Sequence, residues 1–178
     1  ILGSFPLMTI YGVKNTVIYR SRNGVWQTNL YKAVPFGFGE GESSVVAAGA
    51  AVNTIELGGV TAQVLVCFDL RFPELFRVLS PPPAIFILVA SWPLSRIDVW
   101  EKLLVARATE NQSWVVASNS SGDDLGLALG GRSKIISPSG RVVLSLSAHE
   151  EFGHFEINLE EVEQLRTVFP VDDYRPKL

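Results

Sequence analysis

A layered α/β domain with mixed sheets, two of them face to face and helices outside, is the fold this sequence predicts. Three observations carry the expectation. Apolar residues make up 47% of the 178-residue chain and charged ones only 19%, which is enough to bury one sizeable core. In the first part of the chain, strand-like runs come in pairs joined by turn residues. In the second part, apolar strands alternate with helical patterns, as in layered α/β architectures.

The elements follow in order. "ILGSFP" (1–6) reads as a strand with no leader, cap or linker ahead of it, so a longer polypeptide is expected upstream. "NTVIYR" (15–20) and "VWQTNLYK" (25–32) are rich in β-branched and aromatic residues, and Asn23-Gly24 between them is a strong hairpin signal. The glycine-rich stretch 33–51 reads as a loop. "VNTIEL" (52–57), Gly58-Gly59 and "VTAQVLVC" (60–67) form a second hairpin. Pro73 suits the first turn of a helix over about 73–79, and Pro81-Pro82-Pro83 stops it. "AIFILVA" (84–90) is a strand buried on both faces. Trp100, Leu103, Leu104 and Ala108 recur at helical spacing within 95–112, with Ser95 or Asp98 as cap. "WVVASN" (114–119) is another strand, and "SGDDLGLALGG" (121–131) a flexible loop. "SKIIS", "RVVLSLS" and "GHFEINL" are read as strands, the first two joined at Pro138-Ser139-Gly140. A last helix covers 159–168, followed by an extended tail.

Composition narrows the function. A net charge of −3 and a pI near 5.4, with Lys and Arg scattered, argue against a nucleic-acid surface. The longest apolar runs, 45–52 and 84–90, fall far short of the ~20 residues that span a bilayer. One cysteine excludes an internal disulfide framework and suits a reducing compartment, so the cytosol is expected. With only His149 and His154, both read as surface residues, no metal site is expected.

That single cysteine, Cys67, sits where the aliphatic run "VLV" breaks into Phe68-Asp69-Leu70-Arg71. A buried inert thiol is the ordinary reading of such a residue, and a nucleophile is the alternative. The neighbouring sequence favours the second. "VCFDLRFPEL" resembles the cysteine motif of the nitrilase superfamily, the carbon–nitrogen hydrolases. "NLYKAVPFGFGE" resembles the family's lysine segment, and "VASWPLSRIDVWEKLLVARATENQSWVVASN" its Trp-Pro loop, long helix and strand. "GGRSKIISPSG" and "FPVDDYRPKL" are similar to its Gly-x-Ser strand and its C-terminal tail. These five stretches occur in the family's order and span nearly the whole chain.

The resemblance implies a four-layer α-β-β-α sandwich. Residues 1–178 would be the C-terminal two-thirds of the family domain, without its first strand and helices. It implies Cys67 as nucleophile, Lys32 as the cation that stabilises the oxyanion, and the Phe68 backbone N–H as a second donor, such donors being worth ~2.7–4 kcal/mol each. The family's supporting glutamate matches Glu40, with Glu42 a close rival. The 35 residues between Lys32 and Cys67 are expected to return both to one sheet edge. Trp92 and Asn119 are candidate substrate contacts. Arg71 and Glu74 read as an ion pair bracing the cysteine turn, and Arg107 and Glu110 as scaffold polar groups.

Two departures stand out. Many relatives continue the lysine as Lys-x-His-Leu-Phe, whereas this chain reads Lys32-Ala33-Val34-Pro35-Phe36. The family's general-base glutamate precedes the lysine, yet no Asp or Glu occurs among residues 1–31.

The implied activity is hydrolysis of a small linear amide through a cysteine thioester, without cofactor, by a cytosolic homodimer or larger homo-oligomer that engages neither nucleic acid nor membrane. The motif is most like that of omega-amidases and deaminated-glutathione amidases. Hydrolysis of nitriles or N-carbamoyl groups, N-acyl transfer (suggested by the likeness of "VPFGFGE" to a segment of apolipoprotein N-acyltransferases) and a non-catalytic assembly subunit are the alternatives.

Overall fold

The computed structural model describes residues 1–38, 41–50, 52–149 and 152–176. The chain opens with β1 (Leu2–Thr9), β2 (Gly12–Arg20) and β3 (Trp26–Tyr31), an antiparallel sheet in the order β1-β2-β3. Pro6 is tolerated because β1 is an edge strand, where a missing N–H breaks no central ladder. After the loop come β4 (Thr54–Leu57) and β5 (Val60–Val66), joined by Gly58 and Gly59. Both glycines have positive φ (59° and 87°), as a type I′ hairpin turn requires.

The second sheet grows from β5 through β6 (Ile85–Ala90) and β7 (Trp114–Asn119), which run parallel to it. A small antiparallel hairpin, β8 (Ser121–Asp124) and β9 (Leu127–Gly130), follows β7. Then β10 (Lys134–Ile136) and β11 (Val142–Ser145) complete a six-stranded sheet in the order β11-β10-β7-β6-β5-β4. Helix α1 (Ile97–Asn111) crosses between β6 and β7, and α2 (Glu160–Val168) lies near the end of the chain.

The core is split by the large sheet. On one face Leu65, Phe86, Leu88 and Val115 pack against Trp100, Leu104 and Ala108 of α1. On the other, Val64, Val66, Ile55 and Trp114 meet Val17, Tyr19 and Leu30 of the small sheet. The α/β sandwich expected from the sequence is therefore present, with α1 as its helical layer. Helix α2 inserts Val162 into the inter-sheet core, so the described helices do not supply a fourth layer over the small sheet.

Several local expectations are corrected. Residues 73–79 are not an α-helix: two short 3-10 turns, Cys67–Arg71 and Pro73–Phe76, take their place, because the proline-rich segment is too short to propagate a full helix. The loop 121–131 is largely the β8–β9 hairpin, turned at Leu125-Gly126 with both residues at positive φ. "GHFEINL" forms no strand. Neither Ser95 nor Asp98 caps α1; a 3-10 turn, Leu94–Arg96, leads into it, and no side chain makes the capping bond.

The loop that follows Lys32 is tied back at close range. Gly49 donates its N–H to the Lys32 carbonyl at 2.8 Å. A methyl at Gly49 would lie 2.6 Å from the Tyr31 Cβ and 2.7 Å from the Lys32 carbonyl oxygen. Because backbone atoms cannot yield as a flexible side chain does, Gly49→Ala is expected to cost about 1–3 kcal/mol. Thermal unfolding measures this, and an unchanged midpoint would contradict the close approach.

Candidate active site

The parallel strands β5, β6 and β7 all end at one cavity, as expected for open α/β sheets, which place ligands beyond the carboxyl ends of their strands. The cavity measures about 960 Å³, and its wall includes Cys67, Phe68, Lys32, Glu42, Asn15 and Trp92. A more open hollow of about 570 Å³ near Tyr19 and Glu56 is lined by neither Cys67 nor Lys32.

Cys67 follows β5 directly and adopts a positive φ of 48°, a conformation that costs a non-glycine residue energy and persists only where the surroundings impose it. The constraint is Asp69. This carboxylate is 1% exposed. It accepts N–H groups from Val66 (3.0 Å) on its own turn and from Ala33 (3.3 Å) and Val34 (2.8 Å) just after Lys32. One side chain thereby pins the cysteine turn to the lysine segment. From the other side, Arg107 of α1 grips the Leu70 carbonyl through Nε (3.1 Å) and Nη2 (2.9 Å) and pairs with Glu110, in line with its expected scaffold part. Phe68 lies in the first turn, whose N–H groups have no partner within their helix.

Lys32 comes from the other sheet. It follows β3, is only 4% exposed and forms an ion pair with Glu42. Lys32 and Cys67 thus face one cavity from two sheets rather than sharing one sheet edge. Glu42 also accepts the Asn15 Nδ2–H (2.7 Å) and the Phe36 N–H (3.1 Å). Glu40 lies outside the described residues. Among the described residues its rival Glu42 is the acid that reaches Lys32; the glycine-rich loop leaves the register open in sequence reading.

Trp92 lines the cavity, with Arg71 stacked over its ring at 5.2 Å. Arg71 does not pair with Glu74 as expected; among the described residues it makes no ion pair. Asn119 reaches Trp92 instead of the cavity. Its Oδ1 accepts the Trp92 N–H at 2.6 Å, and its Nδ2 donates to the carbonyls of Trp92 and Gly131. Asp69 and Asn15 were both missed in the sequence. For Asn15 there was a signal, since asparagine is a poor strand former inside an otherwise good strand.

Burial pushes the Cys67 thiol above its ordinary value of 9.0; the Lys32 charge and the Ser91 backbone pull it back, and Glu42 and Asp69 push it further up. For Glu42, burial alone would raise the carboxyl, but hydrogen bonds from Lys32, Asn15 and Phe36, with the Lys32 charge, leave it below 4.5. The resting site is therefore a neutral thiol beside a buried ion pair. No His, Cys, Asp and Glu cluster suited to a metal occurs among the described residues.

Comparison with known proteins agrees with this geometry. The carbon-nitrogen hydrolase family pattern matches residues 11–167. The chain belongs to that family. It is 36% identical over 180 residues to the 2-oxoglutaramate amidase of Bacillus subtilis, covering 100% of this chain and 69% of that enzyme. It is also 36% identical over 162 residues to the 2-oxoglutaramate amidase of Paenarthrobacter nicotinovorans, covering 88% of this chain but only 55% of that enzyme. Among solved structures, a CN-hydrolase superfamily protein of Xanthomonas campestris, carrying an arsenic adduct in its active site, superposes with a TM-score of 0.91. It is 31% identical, and the match covers 100% of this chain and 69% of that one.

Two pH experiments follow for this carbon-nitrogen hydrolase. Cys67 is the sole cysteine, so alkylation by iodoacetamide reports it directly. The rate should rise with pH through 9.0 without levelling off, and a plateau reached near neutrality would contradict the buried thiol. Glu42, held below 4.5, contributes stability that is complete above 4.5 and is lost as the pH falls through its lower native value. Glu42→Gln should remove that acid limb from the stability profile, and identical limbs in both proteins would refute the assignment.

Proposed function

We propose that the whole protein hydrolyses the terminal carboxamide of a small acid, with Cys67 as nucleophile, Lys32 as the oxyanion-holding cation and Glu42 as the carboxylate that fixes Lys32. The observation that carries this reading is the convergence of Cys67 and Lys32 on one cavity wall from separate sheets. In the reaction the Cys67 sulfur bonds to the amide carbon as the thiol proton leaves. Charge gathers on the carbonyl oxygen between the Lys32 ammonium and the Phe68 N–H. The C–N bond then breaks, ammonia departs with a proton, and water cleaves the thioester to the free acid and the thiol. A raised thiol needs a base. Glu42, with its lowered affinity for protons, is a poor one, so the base in this proposal is the separate glutamate that the family resemblance implies. Asn119 serves by holding the Trp92 backbone, and Trp92 by walling the cavity.

The substrate class follows from two further cations. Arg71 and Arg96 line the cavity and form no ion pair among the described residues; Arg71 lies over Trp92, and Arg96 over Phe36 at 5.4 Å. An amide whose far end is a carboxylate would satisfy them, which fits monoamides of short dicarboxylic acids and agrees with the 2-oxoglutaramate amidases among the relatives. We place the protein in the cytosol as a homodimer or larger homo-oligomer. No helix among the described residues is long and apolar enough to cross a membrane. The exposed Val168, Phe169 and Tyr174 offer apolar surface that self-association would bury.

Ammonia release from short ω-amides, set against nitriles and carbamoyl amino acids, tests the reading. Cys67→Ala should abolish turnover, and Lys32→Ala should lower it by about 100–1,000-fold. Arg96→Ala should raise KM by about tenfold for carboxylated amides and leave uncharged amides unaffected. A protein that turns over nitriles but no amide would overturn the proposal.

A further inference from the structure

Asn15 closes a circuit around Lys32. Its backbone carbonyl accepts the Lys32 N–H at 2.9 Å. Its side-chain Nδ2–H donates to Glu42 Oε1 at 2.7 Å, while Glu42 Oε2 takes the Lys32 ammonium. The lysine is held at its backbone by Asn15 directly and at its charged end by Asn15 acting through Glu42.

The other half of the carboxamide shows which demand sets its orientation. Asn15 Oδ1 is buried and has no hydrogen-bond partner among the described residues. An unmade bond to a buried acceptor costs about 1–3 kcal/mol, and the amide bears it in the orientation that gives its donor to Glu42. Turning would set Oδ1 against a carboxylate oxygen, acceptor against acceptor. The strand ladder does not need the side chain either, since the pairing of β2 with β1 and β3 is made by backbone. Asn15 also lines the cavity beside the pair it orders.

We propose that Asn15 is a positioning residue of the amidase: its N–H aims the Glu42 carboxylate and so presents the Lys32 ammonium to the reacting carbonyl. The proposal rests on the amidase reading for its effect on turnover, but its effect on Glu42 stands apart from any substrate. Asn15→Asp replaces the donor with a charge and nearly preserves shape; Asn15→Ala removes the donor alone.

In the whole protein, kcat for ω-amide hydrolysis should fall by about 100-fold in Asn15→Asp, with KM nearly unchanged. The acid limb of the pH–rate profile should move to higher pH in both variants. Titration of the Glu42 carboxyl by carbon-13 NMR, which requires no turnover, should show its value rising towards 4.5 in Asn15→Ala. Failure to hydrolyse any amide, with the Glu42 shift present, would remove the amidase reading and leave the positioning role intact. A Glu42 titration identical in wild type and Asn15→Ala would overturn the positioning role, whatever the enzyme's substrate.

Discussion

The site depends on one buried carboxylate. Asp69 accepts three backbone N–H groups, one from the end of β5 and two from the segment after Lys32. Without it, the cysteine turn and the lysine loop would be joined only by packing, and a positive φ at Cys67 would lack an opposing constraint. Burial raises the Asp69 carboxyl above its ordinary value, and the three N–H donors together with the Lys32 charge recover only part of that shift. The core that seals Asp69 thus opposes its ionised form, and the three N–H donors and the Lys32 charge are what favour it. A neutral amide at this position would present a donor where acceptors are needed, so the charge is the cost of a three-way clamp.

This clamp answers why an acid follows the cysteine so closely. Asp69 is the weakest of the influences acting on the sulfur, behind burial, Lys32, the Ser91 backbone and Glu42, and its sign is unfavourable to a thiolate. Its task is geometric. The Arg71 that follows does not neutralise it but lies over Trp92 at the cavity wall. Around the clamp, Phe68 packs edge-on against Phe36 and Phe72 at 5.1 and 5.2 Å, which seals the turn from water on that side.

Legibility from sequence followed the range of the forces involved. Hairpin turns at Asn23-Gly24 and Gly58-Gly59 were readable because the backbone conformation they need is local to the residues themselves. The periodic face of α1 was readable because Trp100, Leu104 and Ala108 meet a flat sheet at helical spacing. The segment 73–79 and the hairpin 121–131 were misread because their conformations are set by what they pack against: Arg107 holds the Leu70 carbonyl, and the Trp92 carbonyl takes the Gly130 N–H. Cys67 and Lys32 were found through motif resemblance. Their meeting from two different sheets was not found, since spacing says nothing about which sheet a hairpin joins. Asp69 and Asn15 stayed hidden because bonds to distant backbone and to a loop acid leave no periodic trace.

The charge balance of the cavity sets a limit on how the proposed reaction can run. Around the sulfur, burial, Glu42 and Asp69 oppose a negative charge, and only the Lys32 ammonium and the Ser91 backbone favour one. A full negative charge on sulfur would sit in a poorly solvated place, so a long-lived thiolate is disfavoured. Proton removal and carbon–sulfur bonding must then overlap, with charge passing straight to the carbonyl oxygen. There the Lys32 ammonium is already oriented and needs no reorganisation, because Glu42 is itself held by Asn15 and Phe36. The same two donors reduce the hold of Glu42 on Lys32 by sharing its charge. A buried pair that would otherwise lock the ammonium away thus leaves its remaining N–H groups available to a developing oxyanion.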